Sequence, residues 1–543
     1  MFINYSDLPN FTNLFLDYVY EFEKVKDFYK NNFLNQDEYA RKFSEITSMK
    51  RIYPETLSKI LLNQYSDVKY SKRTAANINY LGQKNSLAIV TGQQLTIFGG
   101  PLYTFYKIIT TIKLCTQLKD KFVDYNFVPV FWLEGDDHDF NEVRSISIFN
   151  NDNEIQSIEY LTPVDTATEL GSIGNLLLKK EIELTIQQLK DSLRTTEFTN
   201  QLISFLSDSY KDGASFKKSF KLLLMKIFDE YGLVIIDPQD VEFKKLLIPI
   251  FESELMNYQE HTQMILKRSA ILEEKYHAQV KVKPINLFLS DDSKRFSIEP
   301  DESGYKLKNR RKRFSQDEIL SLLHEKPELF SPNVLLRPIC QDYILPTAFY
   351  VGGPSEISYF AQLIPYYSKL NIAQPFIYPR ASVTLLEKNI KSLLEKYELS
   401  LLNVFHKGKQ FIPEIISQFA DIDTSKIFTD ALQDSKILFE KLNTNLSLLD
   451  PSIQQVIEKL NEKNQQSILT LKSKVDSIVL KKNEIINRQL NKILMNIMPE
   501  NNLQEREINI IYYFNKYGID FISFLFNEIS ITKFEHQILE ITI

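Results

Sequence analysis

Cysteine, glycine and long apolar runs are all scarce in this chain. Only two cysteines, Cys115 and Cys340, occur in 543 residues. That is too few for a disulfide framework or a thiolate-based zinc site, so both read as reduced packing residues and no metal is expected. No stretch approaches the roughly 18 consecutive apolar residues of a membrane-spanning helix. The opening residues, Met1-Phe-Ile-Asn-Tyr-Ser-Asp7, carry neither the basic nor the apolar region of a secretion signal. A cytoplasmic protein without membrane contact is expected. An excess of one charge is missing too, since 64 Lys and Arg stand against 70 Asp and Glu, a formal net charge of -6. No global basic field draws the chain to nucleic acid, which is therefore not an expected partner. The 14 glycines fall well under the usual share of about 7%. Where glycine is rare its clusters are informative, and Gly92, Gly99, Gly100, Gly135, Gly352 and Gly353 all follow or interrupt apolar runs.

Residues 11 to 80 read as largely helical, with Leu14, Tyr18 and Phe22 repeating at i, i+4, i+8. Then the pattern changes. Short β-branched or aromatic runs follow at Leu87–Thr91, Phe127–Leu133, Tyr231–Asp237, Ile344–Val351 and Pro375–Tyr378, separated by helical stretches such as Pro101–Leu114, whose proline suits a first turn. Continuous rather than alternating apolar strands between helices predict a parallel sheet covered on both faces, a doubly wound α/β core. The intervals near 144–225 and 276–335 are too long for simple crossovers and read as insertions. The second contains β-like Gln279–Leu289 and Arg295–Ile298, and its basic run Lys306–Arg313 reads as a solvated surface. From about Thr384 to Met498 glycine almost disappears. Ile453, Ile457, Leu460, Ile468, Leu471, Val475 and Ile478 advance in steps of three and four, with Asn464 at a seam position, which predicts an antiparallel coiled-coil hairpin. Leu449-Asp-Pro451 would start its second helix, and its apolar seam suits a homodimer. The expected organisation is a core over 1–383, a helical domain over 384–500 and a C-terminal segment over 501–543 that packs back on the core.

Three segments can carry chemistry. Thr91-Gly-Gln-Gln-Leu-Thr-Ile-Phe-Gly-Gly-Pro101 joins a strand to a helix N-terminus, where unpaired N–H groups can hold an anion; tight-turn glycines alone account for it equally well. Lys107 lies two turns further on. Glu134-Gly-Asp-Asp-His-Asp139 ends a strand at the carboxyl edge of the sheet, where such folds bind ligands. So many carboxylates in one place need cationic partners or a substrate ammonium group, unless the segment is simply a solvated loop. His138 can serve as a base near neutral pH. Tyr350-Val-Gly-Gly-Pro-Ser-Glu-Ile-Ser-Tyr359 repeats the strand, glycine turn and helix pattern; Glu356 and Tyr359 share a helix face, and Ser355 reads as a cap. Arg380 falls on the same rim, as a carboxylate grip or as an ordinary ion pair. The remaining histidines, His261, His277, His324, His406 and His536, read as structural.

Val90-Thr-Gly-Gln-Gln94 with Gly100-Pro-Leu-Tyr-Thr104, Pro129 to Asp139, Gly352-Gly-Pro-Ser-Glu356, Pro379-Arg380 and Leu503-Gln-Glu-Arg506 together resemble the bacillithiol biosynthesis cysteine-adding enzyme family. The resemblance implies a Rossmann-like core with two connective insertions, distantly similar to class I aminoacyl-tRNA synthetases but without their two signature motifs, and a coiled coil used for dimerisation. The implied reaction joins the carboxyl group of cysteine to the amine of glucosaminyl malate, the last step of bacillithiol synthesis. Asp136, Asp137 and His138 are the expected catalytic residues. Gly92, Gln93, Gln94, Gly100, Tyr103, Trp132, Glu134, Asp139, Gly352, Gly353, Glu356, Tyr359 and Arg380 are the expected substrate contacts. ATP or another adenine nucleotide is the expected cofactor, near Ser382, Thr384 and Arg506. The competing functions are a coiled-coil scaffold and a nucleotidyl- or glycosyl-transferase on the same sheet rim.

Overall fold

A computed structural model of the chain describes residues 1–49, 54–137, 139–162, 171–292, 294–302, 304–418, 424–446, 450 and 453–543. The five expected strands form one parallel sheet, in the order Phe376–Pro379, Thr347–Gly352, Ser86–Gln94, Asn126–Glu134, Val234–Ile236. The two central strands pair from Ser86↔Asn126 to Gln94↔Glu134. Nearly every residue of both is buried, as expected where helices cover both faces of a sheet. From Ser86–Gln94 the chain first adds strands on one side, then returns to add Thr347–Gly352 and Phe376–Pro379 on the other. The crevice at the carboxyl ends of Ser86–Gln94 and Thr347–Gly352 is therefore a topological switch point.

Several boundaries differ from those the sequence predicts. The Ile344–Val351 run begins as a helix, Arg337–Ile344 with Pro338 in its first turn, and becomes strand only at Thr347. Of Tyr231–Asp237 only Val234–Ile236 pairs, because Asp229–Tyr231 is a helical turn closed by Gly232 at φ 79°. Helix Leu102–Lys121 takes Pro101 as its N-cap rather than in its first turn.

The interval 144–225 contributes a hairpin, Ser145–Phe149 with Ile155–Glu159, and helices Glu181–Ser192 and Thr199–Ser209. The interval 276–335 contributes a five-stranded antiparallel sheet in the order Arg313–Phe314, Gly304–Leu307, Lys294–Asp301, Leu287–Asp291, Phe330–Pro332. Pairing there starts at Leu287. The preceding residues 279–286, expected as strand, instead lie along the core, where Val280 exchanges both backbone bonds with the side chain of Gln362. A third sheet was not anticipated: Phe2–Ile3, His536–Glu540 and Ser382–Leu386 pair side by side, so Thr384 is strand and the helices start at Lys388.

Helices Thr424–Leu446 and Ile453–Lys482 pack against each other, and Asn464 at the seam donates to Ser435 Oγ at 2.8 Å. Leu449 and Pro451, expected to start the second helix, lie outside the described residues. The C-terminal segment returns to the core, where Lys113 Nζ donates to Phe526 O and Asn509 pairs with Pro101. Cys115 and Cys340 are buried, and burial pushes both thiols far above their usual range. Among the described residues no helix is long and apolar enough to cross a membrane.

Candidate active site

The strand Asn126–Glu134 delivers Glu134 to the carboxyl edge of the sheet, and the backbone then turns away through Gly135. Beside it, Gly92 and Gln93 end the neighbouring strand, while Gly352–Gly353 end the strand on the far side of the crevice. The three ends open on a cleft of about 480 Å³. Its opposite wall comes from the second insertion, through Val280, Lys283, Phe288, Arg295 and Asn333.

The acidic segment finds its cations within the protein. Arg337 Nε contacts Glu134 Oε1 at 2.9 Å, and Lys244 Nζ contacts Asp136 Oδ2 at 3.0 Å. Gln239 Nε2 donates to Asp136 Oδ1 at 3.1 Å, and Gln94 Nε2 donates to Asp137 Oδ2 at 2.5 Å. The electrostatic consequences diverge. Burial pushes the Glu134 carboxyl up to about 7, although the Arg337 guanidinium opposes this. Burial also pushes Asp136 up, but there the Lys244 ammonium, Arg295 and the two hydrogen-bond donors win, and the carboxyl ends below its usual range.

A second chain of contacts crosses the floor of the cleft. Lys107, buried rather than solvated, reaches Glu356 Oε2 at 2.5 Å and donates to Gly92 O and Gln93 Oε1, both at 2.9 Å. Glu356 also accepts from Gly353 N at 2.8 Å and from Tyr350 OH at 2.5 Å, so Glu356 rather than Ser355 satisfies the start of its helix. Burial raises the Glu356 carboxyl, and Lys107 with the Gly353 N–H brings it below the ordinary range. Arg337 closes the chain by donating to Tyr350 OH at 3.2 Å and to Tyr359 OH. Three strand ends are thereby tied into one rigid floor, and preorganised charges of this kind need no rearrangement when a substrate arrives.

Of the residues expected at the site, Gly92, Gln93, Gln94, Tyr103, Trp132, Glu134, Asp136, Asp137, Gly353, Glu356, Tyr359, Arg380 and Arg506 line the cleft. His138 lies outside the described residues. Asp139 is exposed and caps the next helix by accepting from Asn141 N. Gly352 is buried in its strand, with its carbonyl taken by Arg380 N. Of the two readings open for the loop running to Gly100, the structure has the tight glycine turn and not the anion cradle. Phe98, Gly99 and Gly100 have φ of 51°, 88° and 72° and are buried. Asn509 Nδ2 donates to the carbonyls of Phe98 and Gly100, and the helix N–H of Leu102 goes to Ile508 O. The C-terminal segment thus occupies that helix N-terminus.

Arg380 is the ion-pair alternative realised, since its Nη2 meets Glu505 Oε1 at 2.7 Å with both side chains buried. Ser382 and Thr384 are buried as well and bind the two ring nitrogens of His536 at 2.8 and 2.9 Å. Neither reaches the cleft. Burial holds His536 down to about 4, a neutral packing imidazole.

Sequence reasoning did not find Arg337, Lys244, Arg295 or Asn333. Lys244 had a usable signal, because it stands in the first turn of the helix that follows a strand, as Glu356 does, and such a turn borders the sheet's carboxyl edge. Arg295 arrives from the second insertion and Arg337 from the helix Arg337–Ile344 that follows it, where no local pattern marks them.

A parallel sheet whose switch-point crevice holds a preorganised floor of paired charges defines a Rossmann-like fold with a candidate ligand-binding cleft. Residues 1–381 match the family model described as the bacillithiol biosynthesis BshC N-terminal Rossmann-like domain, and residues 383–541 match the BshC C-terminal coiled-coil domain. A protein of Salinibacter ruber named "Putative cysteine ligase BshC" is 33% identical over 98% of this chain and 96% of its own. Proteins of the same name from Chloroherpeton thalassium and Chlorobaculum tepidum are 34% and 32% identical, covering 96% and 94% of this chain and 95% and 93% of their own. The chain belongs to the bacillithiol biosynthesis BshC family.

Proposed function

We propose that this chain is a ligase that forms an amide between the carboxyl group of cysteine and the amine of glucosaminyl malate, completing bacillithiol in the cytoplasm. The observation that carries the reading is the charge of the cleft. Eight cationic side chains (Lys107, Lys244, Lys281, Lys283, Arg295, Arg337, Arg380, Arg506) line it against four carboxylates (Glu134, Asp136, Asp137, Glu356). Such a surplus suits an anionic substrate, and the two malate carboxylates supply the complementary charge. The relatives' name, cysteine ligase, supplies the other substrate.

Activation of the cysteine carboxyl is assigned to ATP or another adenine nucleotide, which would supply a phosphate or adenylate leaving group. Ser382 and Thr384 do not fit that nucleotide, because His536 and Glu505 occupy their hydroxyls. Arg506, Lys283 and Arg295 do fit a phosphate chain, as cations that border the cleft. Dimerisation is assigned to the helical hairpin, where Val456, Leu460, Leu471 and Ile478 are each more than half exposed.

The test is incubation of the purified protein with cysteine, glucosaminyl malate and ATP, with mass detection of the condensed product. Product whose mass is the sum of the two substrates less one water is expected. Its absence across nucleotides would overturn the proposal.

A further inference from the structure

The four carboxylates that line the cleft are not equivalent. Both oxygens of Asp136 are taken, by Gln239 and Lys244. Both oxygens of Glu356 are taken, by Tyr350 on one side and by Gly353 N and Lys107 on the other. Asp137 accepts from Gln94 through one oxygen and from Asp139 N through the other. Glu134 differs, since Oε1 is held by Arg337 while Oε2 has no hydrogen-bond partner among the described residues, and the side chain is 23% exposed on the cleft.

We propose that Glu134 is the general base of the amide-forming step, accepting at Oε2 the proton that the acceptor amine loses as its nitrogen bonds to the activated carbonyl carbon. This rests on the reading of the chain as a cysteine ligase and assigns a role within that reaction. The sequence pointed instead to Asp136, Asp137 and His138 as the catalytic residues, with His138 able to serve as the base. Asp136 is spent on Lys244, and a carboxylate fixed between an ammonium and an amide is a poor proton acceptor.

Glu134 is aimed from behind. Arg337, which grips its other oxygen, is itself buried and donates to Tyr350, Tyr359 and Gln341, so it cannot swing. Gly92 lets the carboxylate lie close against the adjoining strand, since a Cβ there would stand 3.2 Å from Oε1. The charged groups facing Glu134 are Arg337 from the helix preceding Thr347–Gly352, Glu356 from the helix following it, Lys107 from Leu102–Lys121, Arg295 from the strand Lys294–Asp301 of the second insertion, and Asp136 on its own segment. Burial first, then Glu356 and Asp136, raise its proton affinity against the pull of Arg337 and Lys107, to about 7. A base poised there is half-ionised at neutral pH and still strong enough to take a proton from an amine that is becoming an amide.

The step balances. The nitrogen lone pair forms the C–N bond, the bond from carbonyl carbon to its phosphate-type oxygen leaving group breaks with its electron pair, and the N–H proton goes to Glu134. Solvent then removes that proton.

The test compares wild type with Glu134→Gln, using two acceptors, glucosaminyl malate and hydroxylamine, the latter unprotonated at neutral pH and so in little need of a base. With glucosaminyl malate, the variant is expected to lose about 100-fold to 10,000-fold in kcat. With hydroxylamine it should retain activity within roughly tenfold, and that retention also shows that the variant folds. In the wild type, kcat with glucosaminyl malate should fall as pH drops through about 7, and the hydroxylamine profile should lack this limb. A flat wild-type profile from pH 5.5 to 8, readable even if the variant does not fold, would overturn the proposal; so would equal losses with both acceptors. Wild-type protein that makes no product with either acceptor sinks the ligase reading itself, and the role of Glu134 with it.

Discussion

Replacing Lys244 by methionine removes a charge from the cleft while keeping a side chain of similar length in the same channel. The ammonium has two partners, Asp136 Oδ2 and Phe330 O, each at 3.0 Å, and the Lys244 side chain is only 1% exposed. Breaking a buried pair by removing one partner costs about 3–5 kcal/mol, because the survivor is left charged where water solvates it poorly. Asp136 is 20% exposed on its cleft side and keeps Gln239 as a donor. The expected loss for Lys244→Met therefore falls at the lower end, about 3 kcal/mol. Trp132 makes the measurement specific. It is the only tryptophan in the chain, is buried in the strand that ends at Glu134 and packs edge-on against Phe243. Urea unfolding followed by its fluorescence reads the core and not the helical hairpin, which removes the main obstacle to a single transition in a chain this large. Asp136→Asn completes a double-mutant cycle, and the pair should be less damaging than the sum of the singles by on the order of 2 kcal/mol. A loss under about 1 kcal/mol for Lys244→Met, or an additive cycle, would refute the reasoning that this pair balances the acidic segment.

Gly92→Ala should place a methyl 3.0 Å from Trp132 O and 3.2 Å from Glu134 Oε1, displacing the carboxylate from Arg337; product formation should fall roughly tenfold or more while the tryptophan-detected unfolding midpoint moves little. Asn464→Leu should stabilise the helical hairpin by about 1 kcal/mol, seen as a higher thermal midpoint by circular dichroism, because an apolar seam residue replaces the Asn464–Ser435 hydrogen bond. The Glu134 carboxyl, raised to about 7, binds a proton more tightly in the folded chain than in the unfolded one, so wild-type stability should fall as pH rises from about 4.5 to 7. Asp342, raised by burial to about 6, acts with the same sign, and His536 acts with the opposite sign. The contribution of Glu134 is therefore the part of the slope, on the order of 2–3 kcal/mol across that window, that disappears in Glu134→Gln; an unchanged slope in the variant would contradict it.

The sheet was legible because its strands are buried on both faces, and a short, continuous apolar run between helices fits little besides a strand covered on both sides. The strand ends were legible for the same reason, since the residue that follows such a run stands on the carboxyl edge. What escaped was whatever depends on distant segments. Ser382–Leu386 pairs with His536–Glu540, about 150 residues later, and its apolar character alone is equally that of a helix start. The loop at Gly99–Gly100 has the composition of an anion cradle, but Asn509, 409 residues beyond Gly100, occupies it. Arg337 is an ordinary surface-type residue in the sequence and becomes a buried counter-ion only because its helix, Arg337–Ile344, packs beside the acidic segment.

The charges in the cleft divide into a fixed set and an available set. Lys107 is paired with Glu356, Arg337 with Glu134, Lys244 with Asp136 and Arg380 with Glu505. Those four pairs balance each other and shape the floor without leaving net charge for a ligand. Arg506 and Lys281 have no ion-pair partner among the described residues, and Lys283 and Arg295 lie over the Phe288 ring at 4.7 and 3.7 Å from its centre. The available cations therefore stand mostly on the wall supplied by the second insertion, where only Arg295 is close enough to interact with Glu134. A substrate whose negative groups are remote from its reacting amine is gripped by that wall, and its binding energy can be used to hold the amine against the free oxygen of Glu134. Replacing wall cations should then lower kcat along with affinity, because loosening the remote anion also loosens the nucleophile.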